Sequence, residues 1–126
     1  MDLLEQVRTT EQALKERIER FSQNYKPVFA KQNLDIDIEL DIEGENHFIP
    51  GYKSCIVVAI SQGDELIDLH IIPIWKCERT FLGMSISRSI PGSKVVGEFT
   101  DESIEEVCEE LKEYVKEICD EHSLTP

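Results

Sequence analysis

Asp68 and His70 stand two residues apart in an otherwise apolar run, Leu66 to Trp75. On a strand that spacing puts both side chains on one face, and a carboxylate beside an imidazole is the orienting half of a general base. A nucleophile would have to come from a neighbouring strand, and Ser85, Ser87, Ser89 and Cys77 are the candidates. Nothing in the spacing requires that convergence, and an ordinary Asp–His surface pair accounts for the same residues. The other histidines, His47 and His122, have no helical or cysteine spacing that would build a metal site, so no metal and no cofactor is expected. No Gly-rich phosphate loop, GxSxG elbow, HExxH or EF-hand pattern occurs, and no residue is assigned a catalytic role.

A second group of chemically capable residues lies just downstream. Trp75, Lys76, Cys77, Glu78 and Arg79 bring the single tryptophan, a thiol and two cations together. Arg88 shares a parity otherwise filled by Leu82, Met84, Ile86 and Ile90, so it must reach the sheet rim or meet a carboxylate. Trp and Arg dominate interface hot spots, so Trp75, Arg79 and Arg88 are candidates for contacting an anion or a partner. The plainer reading of Trp75 is an aromatic capping the core.

The most regular pattern is acidic. Residues 34–43 alternate strictly, with Asp35, Asp37, Glu39, Asp41 and Glu43 on one parity and apolar residues on the other. No helix sorts that pattern, so it predicts a strand with one buried and one solvated face. Its carboxylates stand about 7 Å apart, a self-repelling row that either solvates the sheet or docks a basic partner. The last helical segment has a like-charged outer face that includes Glu106, Glu109 and Glu113. Glu106/Glu110 and Glu109/Glu113 are repulsive four-residue pairs. These carboxylates also solvate the protein, or meet cations, including those of the first helix.

The elements that hold these residues follow from periodicity. An apolar stripe through Leu4, Val7, Leu14, Ile18, Phe21 and Tyr25 predicts a helix from about Asp2, broken only by Glu11 and closed by Pro27. Cys55 to Ile60, apolar throughout, predicts a central or doubly covered strand. A turn at 62–65 and a strand over Leu66 to Trp75 complete a hairpin, with Pro73 marking an edge or bulge. Lys76 to Thr80 reads as a polar connection, Phe81 to Ile90 as a strand, and Lys94 to Phe99 as a short fifth strand. A final helix runs from about Asp101 to His122, with a capping box at Ser103 and Glu106, and Glu121 to Pro126 should fray.

Short connections make the strands an antiparallel meander, and two amphipathic helices need one apolar face. The expected fold is a single α+β domain over 1–126. It is a two-layer sandwich with four to five strands flanked by an N-terminal and a C-terminal helix. Whether the second sheet face is covered stays open; Cys55, Val57, Ala59, Ile67, Leu69, Ile71 and Trp75 suggest that it is partly apolar.

Net charge bounds the partners. The 126 residues carry a formal charge of −13, of which residues 33–53 hold −5 and residues 101–126 hold −8. Nucleic acid and anionic membrane surfaces would be repelled. The start of the chain has no secretory pattern, and Cys55, Cys77, Cys108 and Cys119 have no disulfide-like spacing, so reduced thiols and a cytoplasmic location are expected. The leading functional expectation is a non-enzymatic module that engages a basic protein partner, of inhibitor or immunity type. Two alternatives remain. One is a secretion-type chaperone acting as a homodimer. The other is a small-molecule binder or enzyme centred on Asp68, His70, Trp75, Arg79 and Arg88.

Overall fold

A computed structural model describes residues 2–124. The element order is α1 (Leu3–Ala30), β1 (Asp35–Glu43), β2 (Lys53–Gln62), β3 (Glu65–Phe81), β4 (Met84–Ile86), β5 (Lys94–Phe99) and α2 (Ile104–Glu121). The strands form one antiparallel sheet, preceded and followed in the chain by a helix, the α+β arrangement expected. Among the described residues no helix is long and apolar enough to cross a membrane.

Both helices pack on the same sheet face. Leu14, Ile18 and Phe29 of α1 and Val107, Leu111, Val115 and Ile118 of α2 form one buried cluster. The sheet contributes Ile36, Ile38, Ile56, Val58, Ile60, Ile72 and Ile74 to it. These are the alternate residues of β1, β2 and the first half of β3, so strand parity decides which side chains join the core. At the N-terminus of α2 the capping box forms: Ser103 N–H donates to Glu106 at 3.2 Å, and Glu106 N–H donates to the Ser103 hydroxyl at 3.1 Å.

α1 does not stop at Pro27 but continues to Ala30. An internal proline costs about 3 kcal/mol. Burying Val28 and Phe29 offsets this, at about 1.5–3 kcal/mol for each such side chain. The chain turns out of the helix instead through Asn33, whose φ of 59° is a left-handed conformation that Asn tolerates, and Leu34 N–H donates back to Phe29 C=O at 3.0 Å. The expected fraying from Glu121 also stops early. Leu124 is buried and its N–H donates to Cys119 C=O at 2.7 Å, while residues 125–126 lie outside the described residues.

β3 is a single 17-residue strand, so Lys76 to Thr80 is strand and not connection. Its two halves have different neighbours. β2 lies along one side, from Glu65 to Lys76. β5 lies along the other side, but only from Trp75 to Thr80. Between them the register slips: Cys55 faces Pro73 and Ser54 faces Trp75, leaving Ile74 unpaired. This is the bulge that Pro73 anticipated, and it changes which parity is buried. Ile72 and Ile74 point to the helices before it, and Trp75 and Cys77 after it.

The expected strand over Phe81 to Ile90 shrinks to Met84–Ile86, paired with Arg79–Phe81. Leu82 and Gly83, with φ of 52° and 80°, make the tight turn. The next position along β3 is blocked, because Cys77 N–H donates to Tyr52 C=O at 2.9 Å and Gly51 N–H donates to Cys77 C=O at 2.8 Å. β4 therefore has no strand to pair with beyond Ile86, and Arg88 leaves the sheet in an exposed loop.

Gly97, opposite Cys77, is the floor on which the Trp75 ring rests, and a β-carbon there would overlap the indole. Gly97→Ala is expected to lower stability by about 1–3 kcal/mol in urea unfolding, as for other overpacked sites.

Candidate functional site

The helix-free face of the sheet carries the acidic row. Asp35, Asp37, Glu39, Asp41 and Glu43 all project there, exposed, because Ile36 and Ile38 are drawn into the core on the other face. The register places apolar residues beside them. Asp37, Ala59 and Leu69 form one cross-strand row, Glu39, Val57 and Ile71 the next, and Asp41, Cys55 and Pro73 the third. An acidic edge thus borders an apolar stripe two strands wide, in which Leu69 and Ile71 remain 48% and 51% exposed. The stripe ends in an open concavity of about 660 Å³ whose lining runs from Asp41, Val57 and Ile71 to Glu98, Asp101 and Glu102.

Trp75 does not join this face. The bulge turns it to the helix side, where it packs with Val7, Tyr52, Cys77 and Phe99. Its indole N–H donates to the His47 carbonyl at 2.8 Å. Arg79 is half-buried on the same side and donates to the Ser93 hydroxyl at 3.2 Å. Trp75, Arg79 and Arg88 are not brought together.

Asp68 and His70 share a face but do not form a dyad. The His70 imidazole pairs with Glu110 of α2 at 3.1 Å and stacks on the Tyr114 ring, 4.5 Å away and tilted by 14°. Asp68 accepts the Leu69 N–H at 2.8 Å. The Tyr114 hydroxyl is buried beside Asp68, and burial first, then the Asp68 charge, pushes its ionisation up. None of the candidate nucleophiles is near. β4 begins its pairing at Arg79, nine residues along β3 from His70 or about 30 Å of extended chain. The Ser85 hydroxyl donates to Glu78 at 2.7 Å. Cys77 is buried, and burial followed by the Glu78 charge pushes its thiol up, which makes it a poor nucleophile.

The acidic α2 lies in the helix layer, on the opposite side of the sheet from the β1 carboxylates. Glu109 and Glu113 are exposed, and Glu106 is engaged by the capping box. Part of the charge is answered internally. Arg17 of α1 forks onto Glu105 at 2.5 and 3.2 Å, and this hydrogen bonding holds the Glu105 carboxyl below its usual range. Glu102 is the opposite case. One of its oxygens is buried without a hydrogen bond, and burial, then the Glu110 charge, holds its carboxyl above the usual range.

The best-built polar constellation is one that sequence reasoning missed. Glu11, only 7% exposed, accepts from the Tyr52 hydroxyl at 2.9 Å and meets His47 Nε2 at 2.6 Å. Tyr52 and His47 also touch each other at 3.0 Å. The network pins the 44–52 loop to α1, with Trp75 holding the same loop by the His47 carbonyl. The signal was present as the one polar break in the α1 stripe. Among the described residues no group of three or more His, Cys, Asp or Glu is placed to hold a metal ion.

Two measurements check these assignments. Glu11→Ala leaves the buried Tyr52 hydroxyl and the half-buried His47 imidazole without their carboxylate partner and should lower stability by about 2–4 kcal/mol in urea unfolding, with Glu11→Gln losing less. A raised carboxyl favours the folded state below its ordinary pKa, and that contribution is lost as pH rises through the raised value. Glu102→Gln should therefore be more stable than the parent at about pH 7, with the gain vanishing below about pH 4. No family model, no curated protein and no solved structure matches the chain, so its function has to be read from geometry and charge.

Proposed function

We propose that this chain is a protein-binding module with no catalytic chemistry of its own, and that it engages a basic partner on the helix-free face of the sheet. One observation carries the reading: an exposed carboxylate row lies in register beside an exposed apolar stripe on a face that no helix covers. Apolar surface bordered by polar groups is the composition of protein interfaces, with the stripe supplying burial and the row supplying steering. A cationic partner relieves the repulsion among five carboxylates spaced about 7 Å apart. Such a surface suits a protein that occludes a basic partner, as an inhibitor or immunity-type protein does.

A second reading is favoured by the same stripe. A dimeric, secretion-type chaperone would hold an extended segment of its client against Val57, Leu69 and Ile71, and its binding would respond weakly to salt.

The readings separate in affinity capture with the wild-type chain and with Asp37→Lys/Asp41→Lys as baits. Both side chains are exposed, so the double variant should fold. The expected partner is retained by the wild type at low salt, released as salt rises, and absent from the variant. A partner held equally by both baits, or one indifferent to salt, excludes the basic-partner reading.

A further inference from the structure

We infer that the first half of β3 is a self-association edge, at which two copies of the chain pair antiparallel about a two-fold axis through Leu69. The edge is physically open. β2 covers one side of β3 from Glu65 onward, skipping Ile67, where the register slips between Ile60 and Ser61, whereas β5 covers the other side only from Trp75, so residues 68–73 have one unpaired side. The outward direction of the backbone is marked twice. Pro73, opposite Cys55, has no N–H to give, and proline within a sheet turns its nitrogen to the free edge. Leu69, of the same parity, donates its N–H to the neighbouring Asp68 carboxylate rather than to a strand. Ile67, Leu69 and Ile71 are exposed along this edge, and no lysine guards it.

The occupant is identified by the sequence of the edge itself. Ile67-Asp68-Leu69-His70-Ile71 is its own complement when read antiparallel about Leu69. Leu69 faces Leu69 of the second copy and Asp68 faces His70, while Ile71 meets Ile67 where β3 bulges. Because the Leu69 N–H and C=O point outward, Leu69 forms the hydrogen-bonded pair. The two Asp68–His70 pairs are then non-hydrogen-bonded pairs, with Cα atoms about 4.5 Å apart and side chains in closest approach. Shifting the axis to residue 68 sets Asp68 against Asp68, and shifting it to residue 70 sets His70 against His70. Only the axis through Leu69 puts acid against base.

Pairing frees the Leu69 N–H from Asp68 and gives it the carbonyl of the second copy, while Asp68 turns to the facing His70. The two β1 carboxylate rows end up at opposite ends of a continuous sheet, roughly 24 Å apart and well beyond the screening length of about 8 Å. The two α2 helices approach across the axis, because each packs over β3 through Glu110 and Tyr114. Their carboxylates repel, so salt should promote this association, the reverse of its effect on a basic partner.

Sedimentation of the full chain tests the edge. The wild type should show a concentration-dependent dimer that strengthens as salt is added. His70→Asp sets acid against acid and Asp68→Lys sets base against base, so each alone should weaken the dimer at least about tenfold. Mixed in equal amounts, the two variants should recover it, since the introduced lysine then faces the introduced aspartate and the remaining Asp68 faces the remaining His70. Leu69→Lys, at an exposed position that the monomer does not need, should also give a folded monomer and serves where His70→Asp fails to fold. A wild type that stays monomeric at high protein and salt concentration overturns the proposal. So does a dimer that weakens with salt, or one that survives these substitutions.

Discussion

β3 changes its buried parity at Ile74, and much of the molecule hangs on that slip. A strand in strict alternation would carry Ile72 and Ile74 into the core and Trp75 onto the opposite face. The unpaired Ile74 lets both Ile74 and Trp75 face the helices. Trp75 then packs on Gly97, which fixes β5 against the second half of β3, and holds the His47 carbonyl, which fixes the loop after β1. With that loop in place, His47 and Tyr52 meet Glu11 on α1. One extra residue in one strand thus ties the far end of the sheet to the first helix.

The same slip keeps the helix-free face simple. With Trp75 withdrawn, that face holds aliphatic side chains and Cys55 bordered by carboxylates and, at one end, by Lys53 and Lys76, without an aromatic anchor. Burial, then the Asp41 charge, pushes the Cys55 thiol up, so this cysteine contributes packing rather than reactivity. The acidity of the chain resolves into two surfaces on opposite sides of the sheet. Each meets an internal counter-charge, Arg17 on Glu105 in the helix layer and Lys53 on Glu43 at the end of the β1 row.

Local pattern made much of this legible. The alternation through residues 34–43 placed β1 and both of its faces, the helical stripes placed α1 and α2, and Ser103 with Glu106 placed the cap. What stayed hidden depends on contacts remote in sequence. The slip at Ile74 needs the register of β2, so alternation alone groups Trp75 with Leu69 and Ile71, whereas its reading as an aromatic capping the core is the one the fold realises. The extension of β3 needs β5 to return along its other side, and the loss of most of the expected strand over Phe81 to Ile90 needs Gly51 and Tyr52 to occupy Cys77. Pro27 failed as a helix stop because burial of Val28 and Phe29 outweighs a local propensity. Glu11 was visible as an oddity, but its partners lie 36 and 41 residues away, and no single-sequence pattern joins them.

The chain contains one tryptophan, and its place in the fold makes it an optical probe of a particular kind. Its ring sits in the small cluster with Val7, Tyr52 and Cys77, outside the main cluster between the helices and the sheet. Its emission therefore reports whether the 44–52 loop is seated on α1, while the helical circular dichroism follows the main cluster. Where the two signals part company during unfolding, they separate the release of that loop from the collapse of the sandwich.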